Sequence, residues 1–410
     1  MKTSTAVFLL LASAAPAAAQ EAARLDLSGY LAEVRSANPE IAAASALAKV
    51  YAEKAKQAWQ PMDPTIEFER MYADGALGSG AAERNILIRQ EFRNPYKYSL
   101  QRGAARYERE AYGALRGDRV NRVLAEARAA FYDYALLWQS ERVYAENIEL
   151  LKKFSRIAET RYAVNQGAQG DAVKAQVELS KALNMLITVQ QEKETAAARL
   201  NALRNRPPET ALPEPEEFHL KPAAADYKAM EAEALAKNPA LAAAAAKVKA
   251  AEKKLSLGRA EYAPDFMLSW RKRGSDDAAM DGTYDVSLGL TVPLWFGRTA
   301  AMGREARAER DMAAAEYDAA RNNLLLELKE ASVKLNYYAR LSELYSGTVL
   351  PQAEQSLKAA EAGYQAGKTD FLDLVDSNRT LLETKRELYE YSAGYAAWLG
   401  RLRSLTGENL

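Results

Sequence analysis

Residues 97–162 contain no proline, and an apolar seam runs through their second half at coiled-coil spacing. Alternate steps of four and three from Val123 reach Ala127, Ala130, Tyr134, Leu137, Glu141, Tyr144, Ile148, Leu151, Ser155, Ala158 and Tyr162. Only Glu141 and Ser155 are polar. A period of 3.5 residues is the signature of helices wound together. At about 1.5 Å per residue such a helix is roughly 100 Å long, a length that suits a tube or fibre and not a globular domain. A second seam runs Leu324, Leu328, Ala331, Leu335, Tyr338, Ser342, Tyr345, Val349. It restarts one residue out of step at Leu350, Ala353, Leu357, Ala360 and Tyr364. A slip of that kind locally changes the winding of the supercoil.

The two seams belong to an internal duplication. Asn38-Pro39-Glu40-Ile41 matches Asn238-Pro239-Ala240-Leu241, and Pro64 matches Pro264, at an offset of 200. Farther on the offset is 202: Tyr162 pairs with Tyr364, Asp171 with Asp373, Leu179 with Leu381, Arg199-Leu200 with Arg401-Leu402, and Leu203 with Leu405. The period exceeds that of any solenoid repeat, so each copy is a domain-sized half. Both halves open with an amphipathic helix, over 31–60 and 227–262, interrupted near its start by Asn-Pro and ended by Pro61 and Pro64 or by Pro264. Both close with a long helical hairpin returning along 171–204 and 370–405. Residues 205–222 join the halves with Pro207, Pro208, Pro213, Pro215 and Pro222, and read as an extended connector.

Between entry helix and hairpin lie two strand-like segments. In the second half Phe266, Leu268 and Trp270 alternate with other residues over 264–273. After the loop 274–282, Tyr284, Val286, Leu288, Leu290 and Val292 do the same over 283–293. Ile66, Phe68, Ile86, Ile88 and Phe92 repeat the pattern more weakly around the loop 73–82. Alternation marks strands, and ten or so residues is the length of a tilted strand crossing a bilayer. A soluble surface hairpin is the alternative, but its apolar face would have no partner sheet in the chain.

Composition narrows the setting. Lys+Arg 55 balance Asp+Glu 55 for a net charge of zero, without the basic stripe nucleic acid requires. The N-terminus reads as a secretory signal, with Lys2, an apolar stretch over 6–12 and Pro16-Ala17-Ala18-Ala19 before Gln20. There is no cysteine, hence no disulfide and no lipid anchor on sulfur. No catalytic residue, cofactor site or metal site is expected. The one histidine, His219, lies in the connector without a nucleophile motif. Met62, Met71, Met267 and Met280 near the strands do not cluster as a soft-metal site would.

The hairpins turn at 161–174 (RYAVNQGAQGDAVK) and 363–376 (GYQAGKTDFLDLVD). Asp373 and Asp376 are three apart and share a helix face. Asp370 and Asp171 read best as helix capping and Asp376 as pore lining; Asp373 fits either. Arg161, Tyr162, Tyr364 and Lys368 are candidates for links between hairpins or for contacts with a partner, against plain coiled-coil packing. Four membrane strands cannot close around water, and open edges in lipid leave backbone groups unpaired. Pooling strands from three chains gives twelve. The expected architecture is mainly α with a small membrane β-barrel contribution. Two duplicated halves, each a β-hairpin plus a long coiled-coil helical hairpin, assemble as a trimeric α/β-barrel channel.

The duplicated Asn-Pro entry helix, the two strand pairs, the long helices and the turn Tyr-x-x-Gly-x-x-x-x-x-Asp (Tyr364, Gly367, Asp373) together resemble the TolC family of outer-membrane efflux proteins. The segment 63–68, Asp-Pro-Thr-Ile-Glu-Phe, looks most like its heavy-metal branch. Asn165 stands where the second copy has Gly367, leaving the shape of the first turn open. The resemblance implies residues 1–19 as signal peptide, 20–204 and 227–410 as efflux repeats, and 205–226 as connector. It implies a homotrimer in outer-membrane lipid with a large periplasmic portion, docked on a periplasmic adaptor and an inner-membrane transporter. Asp373 and Asp376 would then form the constriction, and Arg161, Tyr162, Asp171, Tyr364, Gly367, Lys368 and Asp370 the tip turns or adaptor contacts. Two alternatives are the exit duct of a type I protein secretion system and a periplasmic coiled-coil protein without a pore.

Overall fold

A computed structural model describes residues 24–72, 81–217, 226–275 and 281–407. The signal segment 1–19, most of the loop 73–82, His219 and Met280 lie outside the described residues. Each half follows one order: two short helices, two strands, two long helices. In the first these are α1 (Leu27–Ala37), α2 (Pro39–Gln57), β1 (Thr65–Tyr72), β2 (Ala81–Phe92), α3 (Pro95–Ala163) and α4 (Gln169–Leu203). In the second they are α5 (Tyr227–Lys237), α6 (Pro239–Ala260), β3 (Asp265–Ser275), β4 (Tyr284–Thr291), α7 (Phe296–Leu344), a π-helical turn (Tyr345–Val349), α8 (Leu350–Gln365) and α9 (Phe371–Thr406). The entry helix expected as one unit is thus two helices, split in both halves at the residue before the proline.

That split is built identically twice. Asn38 Oδ1 accepts the N–H of Glu40 and Ile41 at 2.9 and 3.3 Å, and Asn238 Oδ1 accepts that of Leu241 at 2.9 Å. Each asparagine caps a helix whose first residue is proline, which lacks the donor that position could not use anyway. The same side chains reach across the fold. Asn38 Nδ2 donates to the Leu203 carbonyl and Asn238 Nδ2 to the Leu405 carbonyl, both at 2.9 Å. One amide therefore starts a short helix and satisfies the end of the long returning one. Just beyond, Asn205 and Gly407 share the left-handed conformation, with φ of 55° and 74°.

The strands form one antiparallel sheet in the order β1-β2-β3-β4, so β2–β3 pairing joins the halves. Register places Ile66, Ile88, Trp270 and Val286 in one row, and Phe68 beside Ile86. This face is open: Phe68 is 79% and Leu288 74% exposed. The opposite face is ionic, with Arg89–Glu67 at 3.2 Å, Arg273–Asp285 at 2.8 Å and Arg271–Glu69 at 4.0 Å. Among the described residues neither β1 nor β4 has a partner on its outer side. Among the described residues no helix is long and apolar enough to cross a membrane.

A charged lock fixes sheet to helix. Lys97, 2% exposed in the first turn of α3, lies 3.0 Å from Asp265 and 3.3 Å from Glu261, and Arg93 bonds Glu261 at 2.6 Å. Asp265 also accepts the Asn94 N–H at 2.8 Å. Burying an ammonium requires such partners. The duplicate of this lock is absent: Thr299 stands for Lys97, Thr65 for Asp265 and Pro61 for Glu261.

Along the helices the core is a string of layers. One cluster centres on Phe131 and Tyr30, a second on Phe154 and Phe371, a third on Leu328 and Leu335. The π turn falls where the second seam slips register. Pro351 follows it, and a proline ring crowds the carbonyl four residues back, here that of Gly347 inside the turn. Widening the helix by one residue relieves the clash and accounts for the slip.

Replacing Asn238 with alanine removes both a cap and a cross-fold bond. We expect a loss of about 2 kcal/mol, read as a lower thermal unfolding midpoint by circular dichroism in detergent. An unchanged midpoint would show that water replaces both bonds.

Candidate functional site

The two hairpin turns meet at one end of the molecule. Both are built alike. Gln166 N–H donates to the Arg161 carbonyl at 2.8 Å and Asn165 N–H to that of Tyr162 at 3.0 Å. Their counterparts are Lys368 to Gly363 at 2.9 Å and Gly367 to Tyr364 at 3.1 Å. This is the six-to-one closure of a helix that ends in a left-handed residue. Asn165 adopts φ 59° and Gly367 φ 73°. Asparagine tolerates that region better than other side chains, so the substitution leaves the first turn's shape unchanged.

Arg161 and Tyr364 join the turns. The Arg161 guanidinium lies 4.6 Å from the Tyr364 ring centroid, a favourable stacking of cation on ring, and its Nη2 donates to the Gln166 carbonyl at 3.0 Å. The same nitrogen is what a side chain at Gly367 would meet first, at 3.4 Å. Tyr364 packs against Phe371 with centroids 5.5 Å apart, and its hydroxyl reaches Asp171 at 3.5 Å. Burial, then the Asp171 charge, holds the Tyr364 hydroxyl above its ordinary pKa. The duplicates have diverged here: Tyr364 is 2% exposed and Tyr162 47%.

Asp370 is the N-cap of α9 and accepts the Asp373 N–H at 3.0 Å. Asp171 differs from the expected cap. The N-cap position of α4 is Ala168, and Asp171 sits in the first turn, facing Tyr364. Phe371, Leu374 and Val375 fill the core, which leaves Asp373 and Asp376 together on the open face of α9. Asp376 is 61% exposed at its side chain. Lys368 is exposed in the turn. Among the described residues no group of three or more His, Cys, Asp or Glu could hold a metal ion.

Above the turns the hairpins are cross-linked by polar groups that seam reading passed over. Asn378 Nδ2 donates to Asn147 Oδ1 at 2.9 Å inside the coil, Lys385 pairs with Glu146 at 3.1 Å, and Arg379 pairs with Glu178 at 2.6 Å. A signal existed for the first. Asn378 follows Leu374 by four and precedes Leu381 by three, so an amide occupies a seam position.

Comparison with known proteins agrees with this geometry. Residues 232–408 match the sequence profile described as outer membrane efflux protein. The cobalt-zinc-cadmium resistance protein CzcC of Cupriavidus metallidurans is 27% identical over 309 residues, spanning 75% of this chain and 72% of that one. Among solved structures, CusC superposes with a TM-score of 0.80 at 15% identity, covering 93% of this chain and 92% of that one. VceC from Vibrio cholerae superposes at 0.78 and 18%, covering 93% and 96%. The second half of the chain, residues 232–408, is thus similar to the outer membrane efflux protein family, and the fold as a whole is similar to those of CusC and VceC.

Proposed function

We propose that the protein is the outer-membrane exit duct of a tripartite efflux pump. As a homotrimer it passively conducts substrates that an inner-membrane transporter expels through a periplasmic adaptor. The observation that carries this reading is the sheet, apolar and uncovered on one face, ion-paired on the other, and unpaired at both edges. Lipid suits the first face and a watery lumen the second, and edges in lipid must be closed by other copies. Three chains of four strands give twelve.

Two further features support ring closure. At the end of the sheet where the helices join, every strand is flanked by an exposed aromatic: Trp59 before β1, Tyr96 after β2, Tyr262 before β3, and Trp295, 79% exposed, after β4. Aromatic girdles of this kind mark the bilayer boundary. Below it, α4 exposes Val173, Val177 and Ile187, while α7 exposes Leu326, Val333, Tyr337 and Leu344. Unlike surfaces that fit head to tail generate a closed ring. In that ring the open face of α9 lines the lumen, and Asp373 and Asp376 form two rings of carboxylates at the constriction. The cargo we assign is heavy-metal cations, after the name of the cobalt-zinc-cadmium resistance relative.

Two measurements test the duct. Leu288→Arg places a charge on the lipid face and is expected to cost about 2–4 kcal/mol, seen as loss of a heat-resistant trimer from outer-membrane fractions; Thr291→Arg, on the opposite face, leaves it intact. Equal loss in both would refute the two-faced sheet. In planar bilayers the wild type has low resting conductance, which rises in Asp373→Ala plus Asp376→Ala. Unchanged conductance in the double variant sinks the gate assignment and leaves the fold standing.

A further inference from the structure

Arg379 stands three residues beyond Asp376 on α9 and is held by the other hairpin. Its Nε and Nη2 donate to the two oxygens of Glu178 on α4 at 3.2 and 2.6 Å, a two-pronged pair. Its remaining nitrogen, Nη1, lies 3.7 Å from Asp376 Oδ1. Lys181 adds a bond to Glu178 at 3.0 Å. Burial pushes the Glu178 carboxyl up, and the bonds from Arg379 and Lys181 outweigh it, so the group sits below its ordinary pKa. The hydrogen bond to Glu178 holds the Arg379 guanidinium above its own, with the Asp376 charge adding to that pull.

This trio exists in one half only. At the duplicate positions Lys174 replaces Asp376, Val177 replaces Arg379, and Thr380 replaces Glu178. Coiled-coil packing, which both hairpins share, therefore does not require it.

We propose that Arg379 is a specificity-determining residue of the constriction, dividing its charge between Glu178 on the first hairpin and Asp376 on the acidic face of the second. The packing of the two hairpins then sets the effective charge of the acidic ring. The proposal rests on reading Asp373 and Asp376 as the constriction. With the hairpins together, Glu178 takes two of the guanidinium's prongs and Asp376 keeps most of its negative field. When α9 swings away from α4, Glu178 leaves, and Asp376, already 3.7 Å away, is the nearer of two carboxylates on the same helix face, the other being Glu383 four residues beyond. The ring is neutralised as it widens. A cation held at the closed constriction is thereby released on opening. A unit charge placed or removed at this distance in water alters the local cation population severalfold.

The test is the reversal potential of the purified channel in planar bilayers under a potassium chloride gradient. Arg379→Gln and Glu178→Gln both break the bridge and loosen the hairpins alike, but they move the ring's charge in opposite directions. We expect Arg379→Gln to raise the potassium-over-chloride permeability ratio by about threefold and Glu178→Gln to lower it by about as much. Both effects vanish when Asp376→Asn is added. If the two variants shift the ratio the same way, or not at all, while Asp376→Asn alone shifts it, Arg379 is a strut and the proposal falls. If Asp376→Asn alone leaves the ratio unchanged, the constriction assignment has failed and the proposal with it.

Discussion

A sheet with one apolar face and two unpaired edges has no stable resting place within a single chain. Each unpaired amide or carbonyl costs several kcal/mol in lipid, and each is a sticky template in water. The four strands in the order β1-β2-β3-β4 leave both outer edges open, and much else follows from completing them. In the proposed trimer the unlike open stripes on α4 and α7 would face one another between copies.

Much of this was legible in the sequence because it depends on periodicity. The coiled-coil seam, the alternating strands and the 200- and 202-residue offsets record which side of each element is buried. The duplicated Asn38 and Asn238 caps and the left-handed pairs Asn165/Gly367 and Asn205/Gly407 show the repeat surviving at the level of single backbone angles. What escaped sequence reading depends on which partner a side chain meets. Nothing in the spacing distinguishes Tyr364, sealed under Arg161, from Tyr162, which stays open. The Asp171 placement turned on a helix start three residues earlier, capped at Ala168, a boundary that local patterning specifies poorly. The seam slip near Val349 was visible, but its cause, the clash of Pro351 with the turn before it, required the three-dimensional helix.

The interface between the two hairpins of one chain adds polar links to the apolar packing found inside each. One apolar cluster, with Leu151 and Phe154 of α3, Ala175 and Ala182 of α4, Leu357 of α8 and Phe371 and Leu374 of α9, runs through both hairpins. Between them, toward the turns, this packing is joined by an amide pair, several ion pairs and a cation on a ring. Exposed ion pairs contribute little net stability and are exchanged with water at small cost. The polar links can therefore exchange at small cost beside an apolar cluster that both hairpins share.

The lock of Lys97, Asp265, Glu261 and Arg93 has a mechanical consequence. It ties the first long helix to the third strand within one chain, whereas Thr299, Thr65 and Pro61 supply no charges for the equivalent joint between chains. In the ring of three copies proposed above, stiff and compliant joints would alternate. A cylinder hinged in that way would flex with three-fold symmetry, although its duplicated halves suggest six.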